Sequence, residues 1–209
     1  MAKIKFALLD VDGVILRHKS CWQLIHSKLG TTRIAQVHRK IAVEYRAITY
    51  RDWALVDVFL WRGAGKDSIR VRESELTPGA IDLLKLLWRK GVYIIVISGG
   101  LELVYELIRD YVDLYVSNRL VYRNGKVWSV EVRVSTKEDV IKFLEKALPI
   151  DWNKCLAIGD SVIDVPMLMR ARYSIAFNPA DDEVTKVAKI VVYSQDMGPV
   201  IELLERLLS

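Results

Sequence analysis

The sequence predicts an α/β protein with a doubly wound, mainly parallel, Rossmann-like sheet and an inserted helical segment. First, short apolar runs recur at residues 4–9, 92–97 and 155–158, as is typical of strands covered on both faces. Second, helical patterns separate these runs, and strands that alternate with helices form parallel sheets. Third, helical periodicity occupies much of residues 17–76, directly after the first strand. We therefore predict a core of residues 1–16 and 77–209 and a helical insertion at 17–76.

Length and composition agree with one such domain. A chain of 209 residues with 52% hydrophobic content can bury a sizeable core. The most apolar stretch, residues 81–97, is broken by charged residues, and residues 1–3 lead into a strand without a cleavable apolar region. We therefore expect a cytoplasmic protein without a membrane partner. Cys21 and Cys155 lie too far apart in sequence for a metal or redox motif, so we expect free, packed thiols.

The inserted segment contains two helical stripes. The first ends at Gly30, and the second follows it. The apolar positions are Trp22, Ile25, Leu29, Ile34, Val37, Ile41 and Tyr45.

The core pattern resumes at Thr77, which we predict as the N-cap of a helix with Pro78 at its first position. That helix runs through Trp88, and the strand at 92–97 then leads to a further helix at about 101–111.

The second half of the core begins with a hairpin. Asn124-Gly125 between two strand-like stretches predicts its turn. Residues 135–138 (Ser-Thr-Lys-Glu) contain a Ser-x-x-Glu capping box and predict a helix start. The last strands are predicted at 155–158, 174–177 and 190–193.

Two aspartates follow the first strand directly. Asp10 and Asp12 are two residues apart, so both can face one substrate at the carboxyl end of the strand. A carboxylate can attack phosphorus and form an aspartyl-phosphate, and a second can act as general acid and base. We assign these roles to Asp10 and Asp12 respectively. Alone, this motif is also compatible with an ordinary turn.

Other polar residues stand at the ends of the predicted strands and helices. Asp160 and Asp164 follow the strand at 155–158 and, with Asp10 and Asp12, offer the hard oxygen ligands that Mg²⁺ prefers. Alternatively, Asp160 caps a helix and Asp164 is solvated. Ser98 and Gly99 follow another strand and can approach a phosphate, while the Lys137 ammonium can neutralise its charge. Together these positions predict one phosphoryl-transfer site.

At these motifs the chain resembles the haloacid dehalogenase superfamily, and in particular its phosphoserine phosphatase-like branch. The strongest stretches are residues 10–13, 76–80, 96–100, 157–160 with 164–168, and 175–178. The resemblance implies a Mg²⁺-dependent phosphatase that acts on a small phosphorylated metabolite. It also implies that Asp12 reaches the metal through its backbone carbonyl, and that the insertion is a cap that closes over the site.

The inserted segment bears on the substrate and on the alternatives. It carries 12 Lys and Arg against 6 Asp and Glu, which can steer an anionic substrate or simply face water. Residues 17–20 (Arg-His-Lys-Ser) lack the carboxylate that phosphoserine phosphatases use for the substrate's amino group, so phosphoserine is the leading candidate rather than a conclusion. A phosphotransferase, a phosphorylated signalling receiver and an RNA-binding protein without activity remain alternatives, although we expect no nucleic-acid partner. The sequence leaves the oligomeric state open.

Overall fold

The computed structural model describes residues 4–208, and within them seven strands form one sheet in the order β4-β3-β2-β1-β5-β6-β7. All neighbouring pairs are parallel except β3 and β4. The strands are β1 (Phe6–Leu9), β2 (Tyr93–Leu101), β3 (Leu114–Arg123), β4 (Lys126–Glu131), β5 (Cys155–Gly159), β6 (Tyr173–Phe177) and β7 (Ile190–Val192). This architecture confirms the predicted fold class.

Ten α-helices lie among the described residues, four of them in the inserted segment. They are α1 (Cys21–Leu29), α2 (Thr32–Arg39), α3 (Tyr50–Trp61), α4 (Lys66–Ile69), α5 (Ala80–Arg89), α6 (Tyr105–Ile108), α7 (Lys137–Ala147), α8 (Val165–Arg170), α9 (Asp182–Val187) and α10 (Gly198–Leu208). A π-helical turn, Lys40–Glu44, continues α2. Each of these helices is too short or too polar to cross a membrane.

Helices cover both faces of the sheet because successive strand residues point to opposite sides. Leu9 packs with the residues of α5 and α10, whereas Leu8 packs with those of α7 and α8. Both leucines are fully buried. Two hydrophobic layers therefore sandwich the sheet, which explains why its strands read as nearly continuous apolar runs.

The strand order brings the polar strand ends together. Strand β1 lies at the centre, and Leu9 pairs with Val96 on one side and with Ile158 on the other. The chain then continues past these three residues to Asp10, to residues 98–100 and to Asp160 at one edge of the sheet. In doubly wound sheets this edge, where the connections on either side of a strand diverge, is where ligands bind.

The inserted segment is attached to the core at both ends. Its entry and exit run side by side: the Thr77 amide donates to the Ile15 carbonyl (N···O 2.8 Å), and the Arg17 amide donates to the Glu75 carbonyl (3.0 Å).

The far end of the segment bonds to the β3–β4 hairpin. The Gly63 amide donates to the Val127 carbonyl (3.0 Å), and the Val127 amide donates to the Ala64 carbonyl (2.9 Å). The segment is thus held to the core at two separate places.

Two predicted helix starts are wrong. Thr77 is not an N-cap, because helix α5 begins at Ala80 after Gly79, which takes the left-handed conformation (φ +79°). The Thr77 backbone is instead occupied in the contact with Ile15. Helix α7 is capped by Thr136, whose hydroxyl accepts from the Asp139 amide at 3.2 Å, one residue later than the predicted capping box.

Other predicted helices and strands are present, but some of their bounds or their burial differ from the prediction. Strand β2 includes residues 98–101, which shortens the expected helix at 101–111 to α6 and two flanking 3₁₀ turns. The second stripe of the insertion forms α2, but Ile34 and Val37 on it are about half exposed. The predicted hairpin is present, with positive φ at both Asn124 and Gly125. Residues 1–3, on which the expectation about the N-terminus rested, lie outside the described part of the chain, as does residue 209.

Candidate active site

Asp10 and Asp12 lie immediately beyond the end of β1. The Asp10 amide continues the pairing of the strand by donating to the Ile158 carbonyl (3.0 Å), so the central strand fixes its backbone. The Asp10 side chain is buried. Burial raises its pKa well above the usual value, and the neighbouring Asp164 carboxylate raises it further.

Lys137 stands opposite these acids as the first residue of helix α7. Its buried ammonium donates to Asp10 and to Asp164 Oδ1, the latter at 2.5 Å. Burial alone lowers the pKa of a lysine, but the two carboxylates outweigh burial here and raise it above its ordinary value. The side chain is therefore a fixed positive charge between two acids.

Asp164 is fully buried and holds the loop after β5 in place. Its Oδ2 accepts from the amides of Asp160 (2.9 Å) and Ser161 (3.1 Å) and from the Ser161 hydroxyl (3.1 Å). A Cβ at Gly159 would collide with the Asp164 side chain, so only glycine fits there. The alternative in which Asp164 is solvated is wrong.

Three of the predicted metal-binding acids form one group. Oxygen atoms of Asp10, Asp160 and Asp164 lie within 4.8 Å of one another, and all three side chains are buried. Like charges this close repel each other, as the raised pKa values of Asp10 and Asp160 reflect, with burial the larger cause in both. Buried hard oxygens with excess negative charge suit a divalent cation such as Mg²⁺. The Asp12 carboxylate is not part of the group.

Asp12 instead faces the start of helix α1. Burial raises its pKa from 3.8 to about 6, although hydrogen bonds from the backbone and side chain of Cys21 lower it in part. Its Oδ1 has no hydrogen-bond partner among residues 4–208. A half-buried carboxyl that titrates near neutral pH can both release and accept a proton.

Ser98 and Gly99 lie at the end of β2, close to Asp12. The Ser98 hydroxyl accepts from the Gly100 amide (2.9 Å), where the pairing of β2 with β3 is irregular. A Cβ at Gly100 would lie 2.5 Å from Cys21 Sγ and 2.9 Å from Asp12 Oδ2, so the close approach of this loop requires glycine. The structure thus brings the predicted phosphate-binding residues to the same edge as the acids.

Side chains from distant segments orient Gly99. Its carbonyl accepts from the Tyr50 hydroxyl (2.5 Å), from Asn118 Nδ2 (2.8 Å) and from Trp22 Nε1 (3.5 Å). The fully buried Asn118 also accepts at Oδ1 from the Arg133 amide (2.8 Å). The sequence interpretation missed Tyr50 and Asn118, and no motif marks either residue.

Lys19 was also missed as a site residue, and it reaches the acidic group from the inserted segment. Its ammonium donates to Asp160 Oδ2 (2.7 Å) and to the Asn178 carbonyl (2.5 Å). The side chain is nearly half exposed, so it lies at the entrance of the site. The basic character of residues 17–20 was the available signal.

The two predicted free cysteines are confirmed, and both are buried. Cys155 is the first residue of β5 and packs in the hydrophobic layer that contains α7 and α8. Cys21 does more than pack: its Sγ accepts from the Leu101 amide (3.2 Å), and it also contacts Asp12. Burial, followed by the Asp12 charge, raises the pKa of the Cys21 thiol well above its usual value. It is therefore an inert thiol that links α1 to the site.

A central strand that ends in buried acids, completed by a lysine and further acids from neighbouring elements, defines an α/β enzyme with an acidic site suited to phosphate chemistry. The chain belongs to the haloacid dehalogenase-like hydrolases, whose family model matches residues 4–204. The predicted family, the phosphoserine phosphatase-like branch and the prediction of a phosphatase enzyme are confirmed.

Its relatives include phosphoserine phosphatases. The chain is 27% identical to that of Methanocaldococcus jannaschii over 211 residues, which cover 97% of this chain and 99% of the relative. It is 30% identical to that of Lactococcus lactis subsp. lactis over 142 residues, 65% of each chain. A substrate-bound phosphoserine phosphatase structure superimposes with a TM-score of 0.76 at 22% identity, covering 97% of this chain and 99% of that one. At this level of identity the superposition shows a shared fold.

Proposed function

We propose that the protein is a Mg²⁺-dependent phosphomonoester hydrolase that acts on a small metabolite through an aspartyl-phosphate intermediate. The observation that carries this proposal is the buried Lys137 ammonium, which bonds Asp10 and Asp164 in the acidic group beside Asp12. A nucleophile (Asp10), a proton donor (Asp12) and a positive charge that offsets the charge of phosphate (Lys137) then lie at one edge of the sheet.

Asp10 is the proposed nucleophile. Its carboxylate oxygen attacks phosphorus, the bond to the substrate alkoxide breaks, and Asp10 becomes an acyl phosphate. Lys137 holds this carboxylate in place and offsets the negative charge of the phosphoryl group, together with the Ser98 hydroxyl and the backbone at Gly99. Asp10, Asp160 and Asp164, together with the backbone carbonyl of Asp12, would hold Mg²⁺, which would supply Lewis-acid chemistry when bound.

Asp12 is the proposed general acid and base. Its protonated form donates to the departing alkoxide in the first step, and its carboxylate then accepts a proton from the water that attacks the acyl phosphate. A pKa of about 6 lets both forms be populated near neutral pH. The two half-reactions therefore need opposite protonation states of one side chain.

We infer that residues 17–76 form a cap over a core of residues 1–16 and 77–209. The paired entry and exit of this segment, between Thr77 and Ile15 and between Arg17 and Glu75, support the boundary. The contact of Lys19 with Asp160 and that of Tyr50 with Gly99 support a position of this segment over the acids. A cap in this position excludes water from the reacting groups.

Phosphoserine is the first substrate to test, because proteins with this activity are among the relatives. Lys19 argues for a different specificity. Its ammonium lies at the entrance next to Asp160, where it repels the amino group of phosphoserine and attracts an anionic group. We therefore expect phosphoserine to be hydrolysed more slowly than phosphomonoesters whose alcohol carries no cation.

The decisive experiment measures phosphate release from phosphoserine and from simple alkyl phosphates, with Mg²⁺ and with EDTA. We expect Mg²⁺-dependent release that the Asp10→Asn variant abolishes. The exposed Asp110→Asn variant is the matched control and retains activity. Rapid quenching of the wild type traps the intermediate as acid-stable, hydroxylamine-sensitive phosphate on the protein. Release that persists in Asp10→Asn, or that needs no divalent metal, would refute the mechanism.

A further inference from the structure

The inserted segment contains a cavity whose lining includes none of the residues that take part in the proposed chemical steps. It has a volume of about 370 Å³ and lies between α1, α2 and α3. This volume falls within the range of small-molecule pockets, ~300–1,000 Å³. Aromatic rings form much of its wall, namely those of Trp22, Tyr50 and Trp53.

The cavity borders the reaction site. Trp22 and Tyr50, which line it, both donate hydrogen bonds to the Gly99 carbonyl. Ser20, also in the lining, caps α1 and directly follows Lys19 in the chain. The side chains of Trp22 and Tyr50 therefore connect the cavity to the loop that contains Gly99, on the side of the inserted segment.

The charges of the lining do not suit an ammonium group. Asp57 is the acid in the lining; it is buried, shares a hydrogen bond with His38 Nδ1 (2.7 Å) and lies 3.3 Å from His26 Nε2. Arg39 adds a positive charge, and Lys19 lies towards the acids. No carboxylate of the lining is thus free for a cation.

The walls suit a flat apolar ring. Indole and phenol faces bind aromatic groups by stacking and by burial of apolar surface. The indole nitrogen of Trp53 is buried and has no hydrogen-bond partner among the described residues, so the ring meets the cavity with its apolar atoms. Ala35 and Ala54 on the adjoining helices leave room for such a ring.

We propose that this cavity receives the leaving group, and that the substrate is a phosphomonoester of an alcohol that carries an aromatic ring. This inference rests on the proposed hydrolase function. It makes Trp53 and Trp22 specificity residues that contact the alcohol part of the substrate and take no part in the chemical steps.

Paired substrates test the inference. The ratio of kcat/KM for 2-phenylethyl phosphate to that for propyl phosphate measures the contribution of the aromatic ring. Both compounds are esters of primary alcohols, so their leaving groups react alike. We expect a ratio of about 10 to 100 from burial of the ring. In the Trp53→Leu variant the ratio falls at least several-fold, and the exposed Trp88→Leu variant, on the surface of α5, keeps the wild-type ratio. Ala35→Phe, which fills the cavity, lowers the ratio independently of any effect of Trp53 on folding.

A binding measurement separates this inference from the proposed function. Calorimetry with 3-phenylpropylphosphonate and butylphosphonate, which cannot be hydrolysed, reports recognition of the ring without turnover. Equal affinities for the two phosphonates, or equal kcat/KM for the two esters, would overturn the inference and leave the hydrolase proposal intact. Tighter binding of the phenyl compound without phosphate release from any ester would show that the protein binds aromatic phosphonates, but it would refute the hydrolase proposal and with it the assignment of a leaving group to the cavity.

Discussion

Replacing Asp12 by asparagine changes the pH dependence of stability in the metal-free protein. Burial raises the pKa of Asp12 from 3.8 to about 6, so between these values the folded chain keeps a proton that the unfolded chain has released. Stability therefore falls as pH rises through this window, by about 3 kcal/mol in full. The Asp12→Asn variant lacks this titration. Its free energy of unfolding, relative to wild type, rises by about 2.5 kcal/mol between pH ~4 and pH ~8, most of the full effect.

Urea unfolding in EDTA, followed by tryptophan fluorescence at five pH values, measures this change. When the free energy of unfolding of wild type is subtracted from that of the variant, the contributions of groups that titrate equally in both proteins cancel. Any effect of the amide on hydrogen bonding that does not depend on pH shifts the difference by a constant. Asp110→Asn is the control, because the Asp110 side chain is 84% exposed. Parallel stability curves for wild type and Asp12→Asn would refute the assignment of a raised pKa to Asp12.

The same site yields three more predictions. Lys137→Met leaves two buried carboxylates unpaired and lowers the free energy of unfolding by about 3–5 kcal/mol; a loss below ~1 kcal/mol in urea unfolding would contradict the charge-pairing argument. Gly13→Ala combines a positive φ with a clash against the Asp160 carboxylate, so calorimetry should show a larger fall in Tm than for Gly63→Ala, which has positive φ and open space. In single-turnover experiments, hydrolysis of the phosphorylated enzyme should slow about ten-fold per pH unit below pH ~6 as Asp12 gains a proton, and a flat profile would exclude Asp12 as the base.

The fold could be predicted because its signals are local. An apolar run between turn residues identifies a strand, and the alternation of strands with helices then fixes the parallel arrangement. The meeting of Asp10 and Asp160 follows from that arrangement, since the carboxyl ends of neighbouring parallel strands share one edge, and Lys137 joins them from the start of helix α7. Prediction of this group therefore needed no knowledge of side-chain packing.

The misses have a different physical origin. Lys19, Tyr50 and Asn118 contact residues far away in sequence, so their positions depend on how the inserted segment lies on the core. Thr77 is a residue type that favours the N-cap position. Its amide instead donates to the Ile15 carbonyl, where the inserted segment rejoins the core. In each case tertiary contacts determine a position that local preference leaves open.

Exposed apolar residues limit what periodicity can predict. Ile34 and Val37 recur at helical spacing, yet both are about half exposed on α2. Periodicity identifies the helix, but it does not say whether the chain itself covers the apolar face.

The attachment of the inserted segment at both ends determines how substrate can enter. A segment joined to the core only by its two linkers can rotate about them as a rigid body. Here the backbone at Gly63 and Ala64 also hydrogen-bonds to Val127 on the hairpin. Swinging the whole segment away must break those two hydrogen bonds or carry the hairpin along. Hydrogen exchange at the Gly63 and Val127 amides therefore reports how often these two hydrogen bonds open. The protection of the two amides measures the free energy of the open state through which substrate would enter.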